Sequence, residues 1–203
     1  IITADDVEQG KLNALKPFIQ KNPNTGEAFS FSEQPLLAQK VVRYPGEPVV
    51  LIIAETVDLA LNASECIEID YSPLPHVIDS KHAIKENSAQ VCPEVEKNIA
   101  INWKTNSSAG VEELFEIADQ IVDLTIQNSR IVTNPMEPRG LVADWNKDTG
   151  RYTLYGSSQN IHVMANYVAS MLGVADARVR FIAPDVGGGF GSKNFCYTEY
   201  GLI

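Results

Sequence analysis

Three consecutive glycines, Gly187-Gly188-Gly189, followed at once by Phe190-Gly191-Ser192-Lys193, place the tightest limit on what this chain can build. A run without Cβ atoms cannot form a stable strand or helix interior. It can enter positive φ and bring its N–H groups directly against a bound group. The short β-branched stretch Val179-Arg180-Phe181-Ile182 precedes it, so the run is expected to be a loop leaving the end of a strand. Nucleotide loops do not fit. A phosphate-binding Gly-x-x-x-x-Gly-Lys-Ser/Thr begun at Gly187 meets Ser192 at its sixth position and Asn194 where the metal-binding hydroxyl belongs. A Gly-x-Gly-x-x-Gly pattern fails at the same Ser192. Taken alone, the run fits either a backbone cradle or a plain surface turn.

Two further loops carry chemistry-bearing residues. Gly156-Ser157-Ser158-Gln159-Asn160 falls between an expected strand and an expected helix, where α/β folds present ligand-binding groups. The Gln159 amide offers both a donor and an acceptor there. The simpler reading is a helix cap by Ser158 or Asn160 with Gln159 solvated. Asn134-Pro135-Met136-Glu137-Pro138-Arg139-Gly140 holds Met136 and Glu137 between two prolines. Glu137 and Arg139 read there as a loop brace, pairing or anchoring neighbouring loops, in preference to direct catalysis.

The pattern of the remainder is mixed α and β. Val41–Tyr44 and Pro48–Ala54 predict strands joined by Pro45-Gly46-Glu47, the second apolar on both faces and therefore central. Thr56 caps a helix from Val57, and Ile67, Ile69 and Tyr71 alternate as a third strand, making residues 35–79 a compact α/β unit. Residues 79–106 read as a polar linker. Ser107 or Ser108 is expected to cap a helix through Val111, Leu114, Phe115 and Ala118, and Val122, Leu124 and Ile126 alternate as a strand. Leu141–Trp145 and Arg151–Tyr155 predict a hairpin across 146–150. Ile161 to Leu172 predicts a helix closed by Gly173.

Composition narrows the function. The 203 residues carry a formal net charge of −10 and show no basic patch, which excludes a nucleic-acid binder of the usual kind. No apolar run is long enough to cross a bilayer and no signal peptide is visible, so a cytoplasmic protein is expected. Cys66, Cys92 and Cys196 show no Cys-x-x-Cys spacing, and the three histidines show no metal-ligand spacing. The chain starts without Met and stops just after the glycine loop. It is expected to be a segment of a longer chain, or a subunit whose other half is separately encoded.

Together, Met136-Glu137-Pro138-Arg139, Ser157-Ser158-Gln159 and Asp185 to Lys193 resemble the molybdopterin-binding region of the xanthine dehydrogenase/aldehyde oxidase family. Pro35-Leu36-Leu37-Ala38, Val42 to Val49 and Ile69 to Pro75 resemble the α/β hammerhead domain that precedes it. The resemblance implies an α/β (α+β) fold, with a hammerhead domain over residues 1–85 and the start of a mixed α/β molybdopterin-binding domain over 86–203. It implies a molybdenum hydroxylase that oxidises an aldehyde or N-heterocycle with water-derived oxygen. Electrons would pass to iron–sulfur clusters and FAD on other domains or subunits of a multi-subunit dimer. By the same resemblance, Gln159, Gly188, Gly189, Phe190 and Gly191 contact the molybdenum cofactor, Gln159 donating its amide N–H to an oxo ligand. Asn194 stands where purine-oxidising members carry a glutamate, which disfavours a purine substrate. The family's catalytic glutamate lies beyond residue 203, so no catalytic base is assigned, and Glu199 is no substitute. Carbon monoxide oxidation would need a copper-binding cysteine loop further on, which Cys196 is not placed to supply. The competing reading is a non-catalytic assembly or interaction module derived from the family.

Overall fold

The computed structural model describes residues 1–23, 25–103, 110–129 and 131–203. Its organising unit is a β-α-β crossover. Strand β1 (Leu141–Asn146) turns into the antiparallel strand β2 (Arg151–Gly156), with Leu141 opposite Gly156 and Asn146 opposite Arg151. The Asn146 side chain sets this turn by accepting the Thr149 N–H at 2.9 Å. Strand β2 then runs into helix α5 (Ile161–Leu172), which returns the chain to β3 (Val179–Ile182), parallel to β2 with Leu154 opposite Phe181. The sheet order is β1-β2-β3. A parallel pair requires such a crossover, because its strands start at the same edge.

Helix α5 holds the core. Met164, Val168, Ala169 and Met171 are buried against Leu154, Val179, Phe181, Cys196 and Tyr200. Asn160 caps its start by accepting the Val163 N–H at 3.2 Å. Gly173, at φ 65°, ends it, as the sequence predicts. The N-terminal part of the chain closes the far end of this helix. Asn13 donates its backbone N–H to the Met171 carbonyl and its side-chain amide to the Ser170 carbonyl, and Leu15 and Leu36 enter the same core. The loop-rich opening contains one short helix, α1 (Ala4–Gln9).

Helix α2 (Val57–Glu65) forms as expected, with the Thr56 hydroxyl accepting the Leu59 N–H. It has no buried residue, and Ile67 lies beyond its end. The polar stretch after residue 79 holds a further turn of helix, α3 (Ser80–Ala83), capped by Asp79. The Asn98 amide gathers the Ala83 and Ala89 carbonyls beside it. Helix α4 (Val111–Glu116) is also present; its expected serine caps lie outside the described residues.

The compact α/β unit expected over 35–79 does not form as a sheet. Residues 41–44, 48–54, 67–71 and 122–126 belong to no ladder among the described residues; Leu51 makes one bridge, to Ile2. Ile53 is 70% exposed and Val122 84% exposed. Alternating apolar residues report a face that favours burial, while a strand also needs a neighbour to take its N–H and C=O groups. No described segment supplies one here. Among the described residues no helix is long and apolar enough to cross a membrane.

The core assignment gives a direct expectation. Met164 is fully buried, so Met164→Ala leaves a cavity between α5 and the sheet and is expected to cost about 2–5 kcal/mol. Denaturant unfolding of the intact native protein, following loss of helical signal, measures it.

Candidate functional site

The loops after β2 and β3 leave the same edge of the sheet because those strands are parallel neighbours. The first places Gln159 beside the second. Gln159 Oε1 accepts the Gly191 N–H at 2.9 Å, and the Gln159 N–H donates to the Lys193 carbonyl at 3.0 Å. Ser158 acts from the same loop, its hydroxyl lying 3.4 Å from the Lys193 carbonyl and accepting the Asn160 N–H. The helix cap and the glutamine contact are therefore both present, carried by different residues.

The glycine loop needs its glycines for two reasons. Gly188 and Gly191 sit at φ 88° and 94°, which side-chain-bearing residues rarely adopt. Gly189 is excluded from bearing a side chain by contact, since a Cβ there would fall 2.5 Å from Gln159 Oε1. Phe190 takes φ 48° without being glycine, a costly conformation for a bulky residue, and its ring stays 72% exposed. The Ser192 hydroxyl donates to the Gly189 carbonyl at 2.8 Å and closes the turn.

The Pro135–Pro138 loop reaches this turn from the other side. Glu137 Oε2 takes the Gly187 N–H at 2.7 Å and the Lys193 Nζ at 2.6 Å. The Lys193 side chain is completely buried, whereas that of Glu137 is 41% exposed. The Lys193 ammonium, and next the Gly187 N–H, hold the Glu137 carboxyl below the usual carboxylate range. Arg139 does not pair with Glu137. It lies 3.4 Å over the Tyr197 ring and 3.2 Å from Glu199, and the Tyr197 hydroxyl donates to the Ser192 carbonyl at 2.6 Å.

The expected site residues thus divide. Gln159, Gly188, Gly189, Phe190 and Gly191 come together in one turn. The Asn194 side chain is exposed and its backbone N–H serves the turn through the Gly191 carbonyl at 3.2 Å. Ser192 and Lys193, which belong to the quoted glycine motif, join the site together with Tyr197, which the sequence did not single out. For Lys193 the sequence shows a lysine closing the glycine motif, but its partner lies 56 residues away. Cys196 sits in the core, and burial pushes its thiol up to about 12, so it is a poor nucleophile and metal ligand.

What the turn offers a ligand is a set of donors. Gln159 Oε1 is used by Gly191, which turns Nε2 outward from that bond, and Nε2 has no partner among the described residues. The N–H groups of Gly188, Gly189 and Phe190 likewise donate to nothing described, although Gly189 is buried. A buried N–H without a partner is rare, and the Gly189 N–H, flanked by two more unpaired N–H groups and a free amide, suits an electron-rich, oxygen-bearing group. Among the described residues no cluster of three His, Cys, Asp or Glu could hold a metal ion.

Comparison with known proteins agrees with this arrangement. A family model described as the molybdopterin cofactor-binding domain matches residues 91–203. Another, described as the a/b hammerhead domain of aldehyde oxidase and xanthine dehydrogenase, matches residues 1–75. The nicotine 6-hydroxylase large subunit of Paenarthrobacter nicotinovorans is 34% identical over 88% of this chain and 22% of its own length. The carbon monoxide dehydrogenase large chain of Hydrogenophaga pseudoflava is 29% identical over 98% of this chain and 25% of its own. The crystal structure of quinoline 2-oxidoreductase from Pseudomonas putida 86 superposes with a TM-score of 0.80 at 26% identity, covering 100% of this chain and 25% of that one. The chain therefore spans about a quarter of the length of these relatives.

The carboxylate latch makes stability depend on pH. The folded pKa of Glu137 is depressed, so its contribution is present above the ordinary carboxylate range and disappears as pH falls through the folded value. Glu137→Gln is expected to flatten the acid limb of a plot of Tm against pH, read by scanning calorimetry. An unchanged acid limb would show that the latch carries no linkage.

Proposed function

The chain belongs to the aldehyde oxidase and xanthine dehydrogenase family, and from that premise we propose that it forms the cofactor-gripping part of a molybdenum hydroxylase. In this reading residues 1–85 are the hammerhead domain and 86–203 the opening part of the molybdopterin-binding domain. The observation that carries the reading is the Gln159–Gly191 hydrogen bond, which fixes the amide with its donor end free. Gln159 Nε2 and the N–H groups of Gly188, Gly189 and Phe190 would hold the molybdenum cofactor. When bound, the cofactor supplies two-electron oxidation of an electron-poor carbon with oxygen derived from water.

The contribution of this chain is electrostatic and geometric. Donors fixed before the reaction stabilise negative charge on an oxygen without reorganising, and each is worth about 3 kcal/mol where charge develops. Small residues at 187–189 and 191 let the backbone come close, while the exposed Phe190 ring stands at the mouth of the turn. Asn194 is proposed to face the substrate, an aldehyde or N-heterocycle in preference to a purine. The general base, the iron–sulfur clusters and FAD are assigned to other domains or subunits of a cytoplasmic, multi-subunit dimer. A non-catalytic module would have no use for a free amide oriented by a fixed glycine turn, which favours the enzymatic reading.

Metal analysis and pterin fluorescence of the native complex test this directly. Near-stoichiometric molybdenum and pterin are expected, and their absence would leave the assembly-module reading standing. In the loaded complex, Gln159→Ala is expected to lower turnover about 100-fold while preserving the fold, the loss of one preorganised donor. Gly188→Val is expected to prevent loading, because valine cannot adopt φ 88° without strain. Normal turnover in the first variant together with normal molybdenum in the second would remove the site assignment.

A further inference from the structure

The binding roles above leave one charge pair unused, a buried lysine met by a half-exposed carboxylate. Among the described residues Lys193 is the largest fully buried side chain, and its ammonium is met by a single carboxylate oxygen of Glu137 at 2.6 Å. Lysines are almost never fully buried unless paired, since removing an ammonium from water is costly. The same oxygen accepts the Gly187 N–H at 2.7 Å. Gly187 and Lys193 are the two feet of the glycine turn, so Glu137 Oε2 is one point that ties both feet together.

Three residues between those feet, Gly188, Phe190 and Gly191, lie at positive φ. The two glycines adopt that region freely, but Phe190 is strained there, and such strain persists only where its surroundings over-determine it. The second foot also touches the catalytic side of the turn. The Lys193 carbonyl accepts the Gln159 N–H at 3.0 Å, and the N–H of Gly191 sets the Gln159 amide at 2.9 Å. Displacing Lys193 would therefore move the peptide that carries Gln159 and the N–H that orients its side chain.

We infer that Glu137 and Lys193 form a positioning pair, which aims the Gln159 amide and the Gly188–Phe190 N–H row at the cofactor. The inference rests on the cofactor-binding reading of those donors. It goes beyond a loop brace, because a brace would affect stability and loading but not the surroundings of the bound metal.

The test uses the native complex loaded with cofactor and carrying Glu137→Gln, Lys193→Met or both. The double variant leaves no uncompensated buried charge, so it reports even if a single variant folds poorly. The readouts are molybdenum content, the molybdenum(V) electron paramagnetic resonance spectrum, and kcat and KM separately. The expected result is retained molybdenum, an altered molybdenum(V) spectrum, and kcat lowered about ten-fold or more with KM little changed, as misplacement of a catalytic donor produces. The double variant is expected to be no worse than the worse single variant, since each removes the same link. A wild-type spectrum and kcat in the loaded double variant would overturn the pair's role. So would loss of molybdenum from all three variants, which would make the pair a structural support. A wild-type complex that itself contains no molybdenum would fail at an earlier point, removing the cofactor reading and this inference with it.

Discussion

Parallel pairing of β2 and β3 is the constraint on which the site depends. Parallel neighbours end at the same edge, so the loop carrying Gln159 and the glycine turn emerge side by side although 32 residues separate Gln159 from Gly191. The pairing is secured from below by α5, whose buried Met164, Val168 and Met171 pack on Leu154 and Phe181, the residues opposite each other in the two strands. The hydrophobic core and the donor array are thus consequences of one crossover. The N-terminal segment adds to the same unit by closing the C-terminal end of α5 through Asn13 and filling its core with Leu15 and Leu36.

The parts of this unit were legible in the sequence because each is specified locally. The hairpin has its Asn–Gly-bounded turn, α5 has an apolar face between Asn160 and Gly173, and the glycine run can be little else but a loop. Gln159 and residues 188–191 are expected to form a site through family resemblance alone, and the geometry adds what the motif could not: which end of the amide is occupied. Lys193 was hidden. Its burial depends on Glu137, and nothing in the spacing of two oppositely charged residues 56 positions apart says that they meet. The alternation at Ile67–Tyr71 and Val122–Ile126 misled in the opposite way. It records an apolar face correctly, but hydrogen-bonded pairing is a property of two segments, and no described segment pairs with either.

The sequence left open whether the glycine run is a cradle or a loose surface turn. Three glycines confer freedom, and a loose turn would keep it, with backbone groups left to solvent. Here that freedom is removed from every side. Glu137 holds Gly187, Gln159 holds Gly191, the Ser192 hydroxyl holds the Gly189 carbonyl, and the Tyr197 hydroxyl holds the Ser192 carbonyl. Arg139, stacked on Tyr197 and paired with Glu199, fixes the last of these in turn. The N–H groups of Gly188, Gly189 and Phe190, between the two outer anchors, are left without a partner among the described residues. Backbone strain at Phe190 has the same direction, since a left-handed phenylalanine costs free energy that a plain turn could relax by adopting another conformation. Fixed ends, a strained centre and free donors at that centre describe a turn whose ordering is complete before any ligand arrives. Binding then need not order the loop, and the donors act at full strength on whatever negative charge is placed against them.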